Sequence, residues 1–172
     1  MKVVKAFPNR RGLAPMNEPA EDLQADFTRE SLAEDYARAL FDYWCEARGA
    51  ARIAPVSAID PMRMPRACLP YISVLDVEHE PLRLRSRLSG TALVEQLGMN
   101  QTGNYLDEIP GTTAQLGRME WCVRTQRPYI VEDDITFAPK DFKRYQILVL
   151  PFGDPAVGVQ RLVGVFCFLN GV

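Results

Sequence analysis

The chain has 172 residues, 47% hydrophobic and 24% charged, the balance of a single globular domain that hides roughly 70% of its unfolded surface. Wholesale disorder, collagen and coiled coil are excluded by that balance. Twenty Lys and Arg stand against 22 Asp and Glu, a net charge of -2, so the basic excess of a nucleic-acid binder is missing and nucleic acid is not expected as a partner.

Residues 1–27 carry Pro8, Pro15 and Pro19 among scattered charges with no sustained period. They read as an extended or disordered arm, ordered only if it docks. The pattern changes over 28–49, where Leu32, Tyr36, Leu40, Tyr43 and Ala47 recur at spacings of 3 and 4, the mark of an amphipathic helix. Thr28 or Ser31 is placed to cap it, Ser31 with Glu34 as a capping box, and Gly49 to end it. Ala33, Ala37, Phe41 and Trp44 widen its apolar arc. That width implies two partners, the chain's own sheet and a second subunit, with Leu40, Phe41 and Trp44 as the expected homodimer interface.

Pro55, Pro61, Pro65 and Pro70 restrict the next segment to short helical turns, one of them capped by Asp60 before Pro61. The domain's sheet and middle helices follow over 71–172. Strands are expected at 71–77 and 82–88, joined by a hairpin turn at 78–81. In the second, Leu82, Leu84 and Leu88 face one way and Arg83, Arg85 and Arg87 the other. A short helix is expected at 91–98, a turn at 105–109, and a longer helix from Thr112 or Thr113 to just before Pro128. Leu116, Met119, Cys122 and Val123 share one face of that helix, with Arg118, Trp121 and Thr125 opposite. Strands at 129–136, 145–152 and 162–169 complete the chain, the last two apolar on both faces and so in need of cover on both. The order gives an antiparallel α+β domain, with the middle helices on one sheet face and the N-terminal helix on the other.

The four cysteines include no Cys-x-x-Cys pair, and one histidine is too few for a zinc set. Free thiols and a cytoplasmic location are expected. The first thirty residues contain no apolar run of the length of a cleaved leader, about 7–15 residues, and no stretch reaches the about 20 of a membrane span, so neither a leader nor a membrane partner is expected. Catalytic signals are sparse. His79 lies in an acidic turn, and the acids at 107–108 and 132–134 read as solvated faces. Arg83, Arg85 and Arg87 read as an edge strand guarded by charge, with anion clamping as the alternative. The best small-molecule site is the space between sheet and middle helices, with Tyr105, Leu116, Met119, Cys122 and Val123 on the helical side and Tyr145, Phe166 and Phe168 on the sheet. An isomerase- or hydratase-like enzyme would need Glu120 or Tyr145 inside that space.

Several stretches carry a family resemblance: Leu40-Phe41-Asp42-Tyr43-Trp44, Ile59-Asp60-Pro61 with Met64-Pro65, and Leu69-Pro70-Tyr71-Ile72. Arg87-Leu88-Ser89-Gly90-Thr91-Ala92-Leu93-Val94, Thr102-Gly103 with Leu106-Asp107-Glu108, and Leu148-Val149-Leu150-Pro151 follow in order. The chain resembles a PAS domain, more narrowly the compact single-domain PAS-type family common in alphaproteobacteria. The resemblance implies a five-stranded antiparallel sheet and a non-enzymatic sensory or regulatory role, exercised through a small ligand or an unidentified signalling protein. A ligand-free interaction or dimerisation module is the alternative. The cofactor is left unknown: the Asn-Cys-Arg-Phe-Leu-Gln run of flavin photosensors is absent, and 113–127 has no histidine for haem. No catalytic residue and no metal ligand carries over.

Overall fold

The computed structural model describes residues 22–140 and 143–169. Most of the expected arm lies outside the described residues. Five strands, β1 (Ile72–Glu78), β2 (Arg83–Ser89), β3 (Tyr129–Asp134), β4 (Arg144–Asp154) and β5 (Gly158–Phe168), form one antiparallel sheet in the order β2-β1-β5-β4-β3. Three helices, α1 (Asp35–Arg48), α2 (Thr91–Leu97) and α3 (Thr113–Thr125), cover it. The expected α+β architecture is thus the one observed.

Strand alternation assigns the two faces. Ile147, Val149, Leu162 and Phe166 turn toward α2 and α3. Leu148, Leu150, Val163, Val165 and Cys167 turn toward α1. Phe166 and Phe168 therefore share the α3 side, a point that alternation by itself left open.

The N-terminal helix begins later than its periodicity suggests. Arg29–Ser31 forms a separate 3-10 turn, Leu32 is extended at ψ 132, and α1 starts at Asp35 with Glu34 as N-cap. The expected Ser31–Glu34 capping box is replaced by one between Thr28 and Ser31 on the 3-10 turn. The cause lies on β4: buried Gln146 accepts from the Ala33 amide at 2.8 Å and donates to the Ser31 carbonyl at 3.0 Å. Those backbone groups are thereby taken out of a continuous helix.

Within α1, Ala37, Leu40 and Trp44 are buried against the chain's own sheet, and the Trp44 indole donates to the Pro151 carbonyl at 2.9 Å. This corrects the assignment of Leu40 and Trp44 to a dimer interface: at 0% and 3% exposure neither has surface to offer a second subunit. Phe41 is half-buried and packs on Phe27, ring centroids 5.2 Å apart. The wide apolar arc is covered by the sheet, by residues 22–27, and by the proline-rich segment, where the Tyr43 hydroxyl donates to the Ala58 carbonyl at 2.9 Å. That segment contains the expected short turns, 3-10 helices at Val56–Ala58 and Arg66–Tyr71. Asp60 caps the turn at Pro61 by accepting from the Met62 amide at 2.9 Å. Gly90, before α2, has no room for a side chain: a Cβ would stand 2.3 Å from the Pro70 carbonyl oxygen.

Residues 22–27 form a docked strap. Gln24 pairs with Ile130 on the free edge of β3 at 2.8 and 3.0 Å, and Leu23 is buried in the α3-side core. The Arg118 guanidinium, 3% exposed, lies 2.5 Å from the Asp22 carboxylate and 2.7 Å from that of Asp133. The side of α3 carrying Arg118 and Trp121, expected opposite the core face, is therefore buried as well, with Trp121 edge-on to Tyr129 at 6.3 Å.

Leu40→Ala is expected to cost about 2–5 kcal/mol in urea unfolding, and Leu40→Glu to give unfolded chain rather than a soluble monomer, because a lone carboxylate would be buried. Gly90→Ala should destabilise measurably in the same assay, since backbone must move. Hydrogen bonding to Arg118 holds the Asp22 carboxyl below its usual value, so the strap's contribution is full above the unfolded carboxyl pKa and is lost as pH falls through the lower folded one. Exchange protection of the Gln24 amide, corrected for intrinsic rate, should hold above about pH 4 and decline below it.

Candidate functional site

The space between sheet and α3 is nearly filled. A cavity of about 40 Å³ remains, walled by Leu75, Met119, Phe137, Ile147, Leu162 and Phe166, with Ser73, Gln101, Thr112 and Gln115 as its polar lining. The Thr112 hydroxyl lies 2.6 and 2.8 Å from the Leu106 and Ile109 carbonyls, which fixes the 3-10 turn Leu106–Glu108 to the start of α3. Gly111 makes that junction possible at φ +83, where a Cβ would lie 2.0 Å from the Thr136 carbonyl oxygen. Gln115 donates to the Tyr145 hydroxyl at 3.2 Å, while its Oε1 is buried without a partner. Such a volume suits a water or a similarly small guest. Ligand pockets run to about 300–1,000 Å³.

Of the expected wall residues, Met119 and Phe166 line the cavity. Tyr145 stands one layer out, its ring 5.3 Å from Phe166 and 6.0 Å from Phe137, with its hydroxyl pKa raised by burial. Phe168 stacks on Phe166 at 6.1 Å and is half-buried. Leu116 is half-buried against the same core. Cys122 and Val123 are buried in that core without reaching the cavity, and burial pushes the Cys122 thiol up. Tyr105 is displaced altogether. It lies outside the sheet edge with the Arg83 guanidinium 3.6 Å from its ring, and Glu78 beside it raises its hydroxyl pKa.

Sequence reading missed the rest of the wall, including Leu75, Ile147 and Leu162 on the strands and the polar Ser73, Gln101, Thr112 and Gln115. The strand residues alternate without saying which face turns inward, Gln115 lies one helical turn before Met119 on the same face, and Gln101 and Phe137 arrive from irregular segments without period.

The lining contains no carboxylate, imidazole, thiol or amine. Glu120 is outside it, paired with Arg124. His79 sits at the tip of the first hairpin with Nε2 2.8 Å from the Val159 carbonyl, tying the two hairpins together. The arginine strand is also engaged. Arg83 makes a bidentate pair with Asp107 at 2.9 and 2.8 Å, Arg85 donates to the Gly103 carbonyl at 3.3 Å, and Arg87 pairs with Asp76 at 3.4 Å. β2 is the sheet edge the charges implied, and residues 103–105 partly cover it, the Ser86 amide donating to the Asn104 carbonyl at 2.9 Å. Among the described residues no cluster of His, Cys, Asp and Glu could hold a metal, all four cysteines are free, and no helix is long and apolar enough to cross a membrane.

Phe166→Ala should cost about 3–5 kcal/mol in denaturant unfolding and should open the cavity enough for an apolar probe such as benzene to raise the melting temperature of the variant.

A search of curated proteins returned no match. Among solved structures, a fungal LOV domain photoreceptor, described as part of a pathway integrating blue light and oxidative stress, is similar over 67% of this chain and 82% of its own, at 15% identity and a TM-score of 0.42. The profile of the PAS domain family matches residues 33–167. That span takes in α1, the proline-rich turns and nearly the whole sheet, and the chain belongs to the PAS domain family.

Proposed function

We propose that this PAS domain is a cytoplasmic regulatory module that acts by binding a signalling protein through its surface, with a core that holds no bulky ligand and performs no catalysis. The observation that carries this reading is the cavity volume of about 40 Å³, several-fold below the range of about 300–1,000 Å³ for small-molecule sites. A flavin ring or a haem does not fit that space. The engaged arginines of β2 support a protein partner over nucleic acid, because each guanidinium already has an acceptor. The four free cysteines agree with a reducing compartment.

One observation favours a second reading, a sensor of a very small polar molecule. The unpartnered Gln115 Oε1 offers an acceptor to a guest of one or two heavy atoms in the cavity that Gln115 lines.

Native mass spectrometry of freshly purified protein, repeated after denaturation, tests the leading proposal. Bare polypeptide mass, with no absorbance beyond that of the aromatic residues, is expected. Excess mass matching a flavin or a haem, accompanied by its visible absorbance and leaving on unfolding, would overturn the closed-core reading.

A further inference from the structure

We propose that a trench between the C-terminal ends of α1 and α3, bordered by the strap and sharing no lining residue with the cavity, binds a nucleoside phosphate. The trench has a volume of about 440 Å³ and adjoins a second lobe of about 290 Å³, with Arg52, Thr125 and Arg127 common to both. The larger lobe alone falls in the size range of small-molecule sites.

Its two kinds of wall call for two kinds of ligand chemistry. One wall is aromatic: the half-buried Phe27 of the strap and Phe41 of α1, ring centroids 5.2 Å apart, with buried Trp44 behind Phe41 at 6.3 Å and the Arg48 guanidinium 5.3 Å from the Trp44 ring. The other is cationic, with Arg48, Arg52 and Arg127 in the larger lobe and Arg124 in the smaller. Neither lobe is lined by a carboxylate. Guanidinium groups match phosphate oxygens in bidentate geometry, and aromatic and guanidinium faces both stack on bases.

The fold alone accounts for only part of this charge. A helix C-terminus carries partial negative charge and favours a cation in its last turn. Arg48 in α1 and Arg124 in α3, which pairs with Glu120, are such cations. Arg52 and Arg127 lie beyond the helix ends. Arg127 pairs at 3.1 Å with Asp26, whose side chain is 97% exposed, a rim contact that solvent screens. Arg52 is exposed and makes no ion pair among the described residues. Two polar atoms of the walls, Arg48 Nε and Gln126 Oε1, are buried without a hydrogen-bond partner, so the site has unmet donor and acceptor capacity on both helices.

Inorganic phosphate would leave the aromatic wall unused, and an uncharged aromatic would leave the guanidinium groups unpaired. A nucleoside phosphate engages both. It would touch the strap, α1 and the C-terminal end of α3 at once. The site is separate from the 40 Å³ cavity, so it stands or falls independently of the closed-core reading.

Titration of the full chain with ADP at low salt, followed by calorimetry and tryptophan fluorescence, is the test. Saturable binding is expected, with inorganic phosphate and adenosine each at least tenfold weaker. Arg52→Glu should weaken ADP at least tenfold while leaving the melting temperature of the free protein unchanged, because the side chain is exposed and unpaired. Arg127→Ala should weaken it similarly. No saturable ADP binding at millimolar concentration, or undiminished binding by Arg52→Glu, would overturn the proposal. Pyrophosphate binding as tightly as ADP would reduce the trench to an anion site without base recognition and also overturn it. Hexaglutamate binding more tightly than ADP would identify a docking face for an acidic protein instead.

Discussion

Two adjacent strands that are apolar on both faces set the terms for the whole molecule. β4 and β5 are each 11 residues long and buried over most of their length. Every Leu, Val or Phe fully removed from water there contributes about 1.5–3 kcal/mol. Neither face can be left to solvent, so the fold needs three layers: α2 and α3 with their connecting turns on one side, α1 with the proline-rich turns on the other. The two cores are separate clusters divided by the sheet, and the hairpin strands belong to both through alternate residues.

Covering the faces leaves the edges, where unpaired amides and carbonyls invite another strand. The chain closes both with irregular backbone. On β2 the loop residues Gly103 and Asn104 bond to Ser86, with Arg83 and Arg85 alongside. On β3 the strap bonds to Ile130, and its position is set by a buried cation. Arg118 would be costly in this core without partners. Asp22 and Asp133 provide them from two different segments. Removing either acid leaves charge poorly compensated, so strap, helix and strand edge hold one another in place.

The five strands and the alternation along them were legible because their cause is local, although β5 starts at Gly158, four residues before the expected 162. The alternation of Val165 and Cys167 against Phe166 and Phe168 needs only the pleat, and the arginine strand announced an edge. What failed to show was set by groups far away in the sequence. Gln146 interrupts the helix expected from 28 onward, across 113 residues of separation from Ala33, while the periodicity of Leu32 and Tyr36 runs through the break unchanged. Arg118 and Trp121 look solvent-facing on a wheel, because the partner that buries Arg118 is 96 residues upstream. The arc of α1 was read as too wide for one molecule, yet three segments of the same chain fill it. Tyr105 was placed by its residue type, whereas the bridge between Arg85 and Tyr105 carries it to the outside of the sheet. Of the cavity wall only Met119 and Phe166 were legible: Leu75, Ile147 and Leu162 alternate on strands without showing which face turns inward, and Gln101 and Phe137 lie on irregular segments.

Phe166 joins the two layers in a single residue. Its ring lines the small cavity on the α3 side, while its carbonyl accepts from the Tyr36 hydroxyl of α1 at 2.8 Å. Burial raises the Tyr36 hydroxyl's pKa far beyond physiological pH, so it remains a neutral donor throughout. Tyr36 in turn stacks face to face on Tyr71 at 4.5 Å, next to the start of β1. A core packed at crystal-like density does not deform continuously. Repacking of the Phe166 ring therefore requires β5 to shift, and a shift of β5 moves the acceptor on which α1 depends. A cavity of water size is compatible with coupling between the two faces, because that coupling runs through the strand itself and needs differential contact energy at one ring rather than a large guest.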